Sequence, residues 1–151
     1  MDKDQVHDVV KSGYAEVARR SGGCCGSTST DTNAETASLI GYSDQDITSA
    51  ARAFVKLGMK QFQSVNVIGF NSYEWFVADL GAIYAGGKAA GIYTTNGPAA
   101  CEYITKHSQA VVVVVENKDQ LAKFLAIQDN ITAVTAIVQY KGEIDEGQRK
   151  A

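Results

Sequence analysis

The adjacent thiols Cys24 and Cys25 are the one local cluster in this 151-residue chain with an evident chemistry. Thiolates are soft ligands and suit As(III), Zn or Cu(I). Two neighbouring side chains on a glycine-flanked loop can converge on one ion, although a tight site usually needs a third ligand. The only other sulfur of this kind is Cys101, far along the chain. Other candidates carry less. His7 and His107 lack the Cys, Asp or Glu spacing of a metal site or triad, and His107 falls where a partly protonated imidazole would complement a helix C-terminus. Glu74 and Asp79 lie five residues apart, on different faces of one helix, and form no general acid/base pair. Trp75, Phe76 and Tyr84 are expected to pack on a sheet, with the wall of a site for an apolar chain as the alternative. Gly86-Gly-Lys-Ala-Ala-Gly91 has the wrong order for a dinucleotide fingerprint. A phosphate-binding glycine loop follows a strand and opens a helix, whereas this one closes a helix and leads into a strand.

The elements that would position these residues change style near Gly41-Tyr42-Ser43. Before it, Val6, Val9, Val10, Tyr14, Val17 and Ala18 recur at helical spacing and run into a Ser/Gly/Thr/Cys loop from Ser21 to Thr32. That loop has too little apolar surface to offset the entropy of ordering it. Ala34 to Ile40 is expected to add a further turn or two of helix. After Ser43 the pattern is regular. Ile47, Ala51, Phe54 and Val55 mark one face of a helix ending at Gly58. Val65–Phe70 reads as a buried strand. Asn71, with Glu74 three residues on, suits a capping box for a helix bearing Trp75, Phe76, Leu80, Ile83 and Tyr84. Ala89–Tyr93 reads as a second strand, and Gly97-Pro98 opens a helix to about His107. Ala110–Val115 contains five consecutive valines and is the clearest buried strand. Asn117 and Gln120 form another candidate capping box, for a helix through Leu121, Phe124 and Leu125, and Ala133–Tyr140 reads as the fourth strand.

This alternation predicts an α/β fold. Its core is a Rossmann-like parallel sheet of about four strands with flanking helices, preceded by a helical and loop N-terminal segment. The expected domains are 1–43, a helix plus a Cys-Cys loop, and 44–151, an α/β subdomain with a polar tail from Lys141. A net charge of −3, with basic residues scattered along the chain, argues against a nucleic-acid partner or an anionic-membrane surface. No apolar stretch approaches the roughly 20 residues of a transmembrane segment. No hydrophobic leader follows Met1-Asp-Lys-Asp4, so a cytoplasmic protein with reduced thiols is expected.

Several stretches carry a family resemblance: Ser64-Val-Asn-Val-Ile-Gly-Phe-Asn-Ser72, Glu74-Trp-Phe76, Gly81-Ala-Ile83, Ala85-Gly-Gly87, Gly91-Ile-Tyr-Thr-Thr-Asn96, Val115-Glu-Asn117 and Ile137-Val-Gln-Tyr-Lys-Gly-Glu143. Residues 46–144 resemble the N-terminal region of bubblegum-type long-chain fatty acyl-CoA synthetases. The resemblance implies a Rossmann-like part of an AMP-forming ligase, which activates fatty acids with ATP, Mg and coenzyme A. Ser21-Gly-Gly-Cys-Cys-Gly-Ser-Thr-Ser-Thr30 imitates the family's phosphate loop but lacks its following Lys, and the later acidic, aromatic and lysine motifs have no counterpart. The expectation is therefore a partial synthetase, inactive alone, with no catalytic and no cofactor-binding residues of its own. Its uncovered sheet edges and helix faces favour self-association. Residues 1–43 are similar instead to the opening of arsenite methyltransferases, through Ser12-Gly-Tyr-Ala-Glu-Val-Ala18, Cys24-Cys25 and Ile40-Gly-Tyr-Ser43. That likeness implies a chimera joined near Ser43, and the alternative function of As(III) binding at Cys24 and Cys25.

Overall fold

The apolar runs pair as a βαβ pattern requires. Strands β1 (Ser64–Ile68), β2 (Lys88–Ile92), β3 (Ala110–Val115) and β4 (Ala136–Gln139) form one parallel sheet in the order β2-β1-β3-β4. The structure, a computed structural model, describes residues 43–144. His7, Cys24, Cys25 and the Ser21–Thr30 loop lie outside the described residues. The helices are α1 (Asp44–Lys56), α2 (Tyr73–Tyr84), α3 (Pro98–Ser108) and α4 (Lys118–Leu125). The expected α/β class and four-strand parallel sheet are both observed.

Strand periodicity divides the core in two. Val65, Val67, Val112 and Val114 pack with Phe54 of α1 and with Ala78 and Ala82 of α2. Ile68, Ile92, Val113 and Val115 pack on the other face with Cys101 of α3 and with Leu121 and Phe124 of α4. The β1–β3 register shifts by one residue, since Ser64 pairs with Ala110 but Val65 with Val112. This bulge explains why the consecutive residues Val111 and Val112 both join the first cluster.

Several boundaries and faces differ from the sequence pattern. β1 and β2 stop before Phe70 and Tyr93, and β4 starts at Ala136 because a turn, Val134 N–H to Ile131 O at 2.9 Å, occupies the preceding residues. Ser72 rather than Asn71 caps α2, its hydroxyl accepting from Trp75 N–H at 3.2 Å. Asn117 caps α4 as expected, but the Gln120 side chain accepts from Lys123 Nζ instead of reaching back to the cap. Val55, Phe76, Ile83 and Tyr84 are exposed instead of packed on the sheet. The cause is close helix packing: α2 buries Ala78, Gly81 and Ala82, and a Cβ on Gly81 would fall 2.7 Å from Ala50 Cβ of α1. Only small residues fit that seam, so the large ones turn outward. Gly86, at φ +79°, ends α2, so the Gly86–Gly91 run is a turn into β2, as its order implies.

Candidate functional site

The sheet order creates a crevice. β1 leads into α2 on one face, whereas its neighbour β3 leads into α4 on the other. Loops leaving adjacent strand ends in opposite directions open a gap at the carboxyl edge, where ligands of open α/β sheets bind.

Glu116, the first residue after β3, closes the floor of this gap. It is buried; its Oε2 accepts from Phe70 N–H at 3.0 Å and its Oε1 from Lys141 Nζ at 3.3 Å. Its own N–H donates to Ile68 O at 2.9 Å, and its carbonyl accepts from Lys141 N–H at 2.8 Å. One side chain thus ties together the loops after β1, β3 and β4. With both carboxylate oxygens occupied, Glu116 is a positioning group and not a general base. Gly69 lets the loops approach, for a Cβ there would overlap Tyr140 Oη and lie 3.0 Å from Glu116 Cβ. The Tyr140 hydroxyl is buried, and no partner meets it with hydrogen-bond geometry. Burial raises its pKa above the ordinary 10.0, partly opposed by the adjacent Ser72 hydroxyl.

Beside this floor, between the ends of β1 and β2, lies an open cavity of about 600 Å³. It is lined by Gly69, Phe70, Asn71, Trp75, Gly91, Ile92, Tyr93 and Thr94. The wall residue Thr94 is fixed by α4, since Lys123 Nζ donates to its carbonyl at 2.7 Å and to Gln120 Oε1 at 2.8 Å. The lining offers aromatic faces and neutral polar groups, with no carboxylate, imidazole or ammonium. Such a wall can stack a flat ring or cover an apolar chain. Its donor set does not fit a triphosphate, which needs cations or converging N–H groups.

The remaining candidates do not converge here, Trp75 excepted. Glu74 is exposed in the first turn of α2, Asp79 is half-buried farther along it, and Phe76 and Tyr84 face outward. His107 is exposed and stacks on Tyr103 with ring centroids 5.6 Å apart. Cys101 is fully buried among apolar neighbours, and burial raises the pKa of its thiol, so it offers no third thiolate to an ion from solvent. Among the described residues no group of three or more His, Cys, Asp or Glu could hold a metal ion. Pattern reasoning on the sequence misses Glu116. The one available signal is a carboxylate directly following the most apolar strand.

A family model for AMP-binding enzymes matches residues 42–151. The chain belongs to the AMP-binding enzyme family. Among curated members of this family, the Xenopus laevis long-chain-fatty-acid–CoA ligase ACSBG2 is 52% identical over 97 residues, and the human ACSBG1 ligase is 47% identical over 92. These matches cover 64% and 61% of this chain, which spans 13% of the length of each relative. Two solved AMP-binding enzymes share the fold. The anthranilate CoA ligase AuaEII in complex with anthranoyl-AMP aligns with a TM-score of 0.60 at 26% identity, over 63% of this chain and 18% of that one. The Mycobacterium tuberculosis fatty acyl CoA synthetase aligns with a TM-score of 0.58 at 22% identity, over 63% and 19%. The family match begins at residue 42 and overlaps the segment likened to arsenite methyltransferases, residues 1–43, only at Tyr42 and Ser43. No helix among the described residues is long and apolar enough to cross a membrane.

Proposed function

We propose that this chain is part of an AMP-forming long-chain fatty acyl-CoA synthetase and does not adenylate fatty acids alone. The observation that carries the reading is the 52% identity over 97 residues to a long-chain-fatty-acid–CoA ligase. The cavity between the ends of β1 and β2 supports it. Its aromatic, uncharged wall suits an acyl chain or an adenine ring, and the neighbouring ammonium of Lys123 is already bound by a carbonyl and an amide oxygen. Stabilising the charge that develops during phosphoryl or adenylyl transfer requires preorganised cations and N–H donors, and the lining supplies none. ATP, Mg and coenzyme A therefore belong to the reaction of a whole synthetase, and the residues of this crevice hold none of their phosphates. A pyrophosphate-release assay with ATP, Mg, a long-chain fatty acid and coenzyme A tests the claim. The 151-residue chain should give the blank rate; release above blank that scales with protein refutes it.

For the N-terminal segment the reading is As(III) binding at Cys24 and Cys25, supported by thiolate softness alone. Arsenite should bind the wild-type chain, and a Cys24→Ser, Cys25→Ser double variant should lose that binding. Equal binding by both removes the idea.

A further inference from the structure

The amino edge of the sheet, opposite the crevice, carries a surface that the proposed activity does not use. Phe62 lies there, in the turn between α1 and β1, 72% exposed and with φ at +67°. Left-handed backbone disfavours a bulky residue because Cβ crowds the following carbonyl oxygen. Neither that conformation nor the exposed ring stabilises the fold. The turn is nonetheless fixed: Phe62 N–H donates to Gly86 O at 2.9 Å, and Lys88 N–H donates to Gln63 O at 3.0 Å. The end of α2 exposes Ile83 and Tyr84, and the last turn of α1 exposes Val55.

The same turn brings the backbones of Lys60 and Lys88 to one residue, for Gln63 Oε1 accepts from Lys60 N–H at 2.8 Å and Gln63 O from Lys88 N–H at 3.0 Å. Residues 51–63 and 80–91 together hold Arg52, Lys56, Lys60 and Lys88 and no Asp or Glu. All four basic side chains are exposed, and no ion pair among the described residues engages the three lysines. Asp79, one turn before Ile83, is the nearest carboxylate along α2.

We propose that this edge docks onto a bilayer containing anionic phospholipid, contrary to the expectation from composition. Phe62 enters the boundary between headgroups and acyl chains, assisted by Ile83 and Tyr84, while Lys56, Lys60 and Lys88 neutralise headgroup charge. Ammonium groups on flexible stems suit a fluid anionic surface that lacks fixed acceptor geometry. The test is co-sedimentation of the full chain with sucrose-loaded vesicles of phosphatidylcholine, with and without phosphatidylserine. Two variants accompany the wild type: Phe62→Gly, which the local φ favours and so leaves the fold intact, and Lys56→Glu with Lys60→Glu. The wild type should pellet only with phosphatidylserine vesicles and be released by high salt. Each variant should bind roughly tenfold or more weakly. Absence of phosphatidylserine-dependent pelleting, or variants that pellet like the wild type, overturns the proposal. Pelleting without vesicles that Phe62→Gly abolishes would assign the surface to a second copy of the chain and overturn it equally.

Discussion

Replacing Gly69 by Ala tests whether the floor of the crevice is held by contact between loops. The backbone there is not left-handed, so the added methyl should be tolerated conformationally and, by restricting the unfolded chain, would stabilise by about 0.4–1 kcal/mol in open space. The structure provides no such space. A Cβ at Gly69 overlaps Tyr140 Oη and falls 3.0 Å from Glu116 Cβ, so the tyrosine ring or the strand end must shift. Overpacking of this kind costs about 1–3 kcal/mol. The net expectation is destabilisation by about 1–2 kcal/mol, a melting temperature lower by roughly 5 °C per kcal/mol for a unit of this size. Tyr140→Phe alone should be close to neutral, because the hydroxyl it removes is buried without a hydrogen bond. In that background Gly69→Ala should cost at least about 1 kcal/mol less, since the nearest remaining atom of the ring, Cζ, lies at 3.3 Å. Urea unfolding followed by fluorescence of Trp75, the single tryptophan and a wall of the crevice, reads all four proteins. Additive effects of the two substitutions would refute the assigned contact.

Further outcomes follow from the same geometry. Glu116→Ala orphans the Phe70 N–H and should destabilise by about 1–3 kcal/mol in urea unfolding. Lys141→Ala, which removes a side chain 69% exposed, should cost under about 1 kcal/mol. Burial raises the Asp79 pKa above its ordinary 3.8, so the folded state binds a proton more readily than the unfolded state. Stability from this group is therefore full below 3.8 and declines as pH rises through the folded pKa; Asp79→Asn should flatten that decline in thermal melts from about pH 3 to about pH 7. Among the described residues, strands β2 and β4 each leave one side unpaired in the sheet, and Val138 of β4 is exposed, so light scattering should show mass rising with concentration. A constant monomer mass across micromolar concentrations contradicts it.

The central strands were legible because they are buried on both faces and therefore read as unbroken apolar runs; Ala110–Val115 needs no alternation to be recognised. Gly97-Pro98, Asn117 and Gly58 announced helix ends through purely local chemistry, which one sequence suffices to show. The outward face of α2 was not legible. Which side of that helix is buried depends on how closely α1 approaches at Gly81 and Ala50, a distance set by partners some thirty residues apart. Glu116 was hidden for the same reason: its partners Phe70 and Lys141 lie 46 and 25 residues away. The crevice itself follows from strand order, which the alternation of helices and strands leaves open. The meeting of Lys60 and Lys88 at Gln63, whose Oε1 and carbonyl accept from their backbone N–H groups, was hidden likewise, since 28 residues separate the two lysines.

Transplantation is the most direct test of the central claim. Residues 46–144 would replace the matching region of the Xenopus laevis long-chain-fatty-acid–CoA ligase, to which this chain is 52% identical over 97 residues. Acyl-CoA formation from a long-chain fatty acid would then be measured in the hybrid. Turnover comparable to the parent ligase is expected, and a folded hybrid that forms no acyl-CoA would contradict the account.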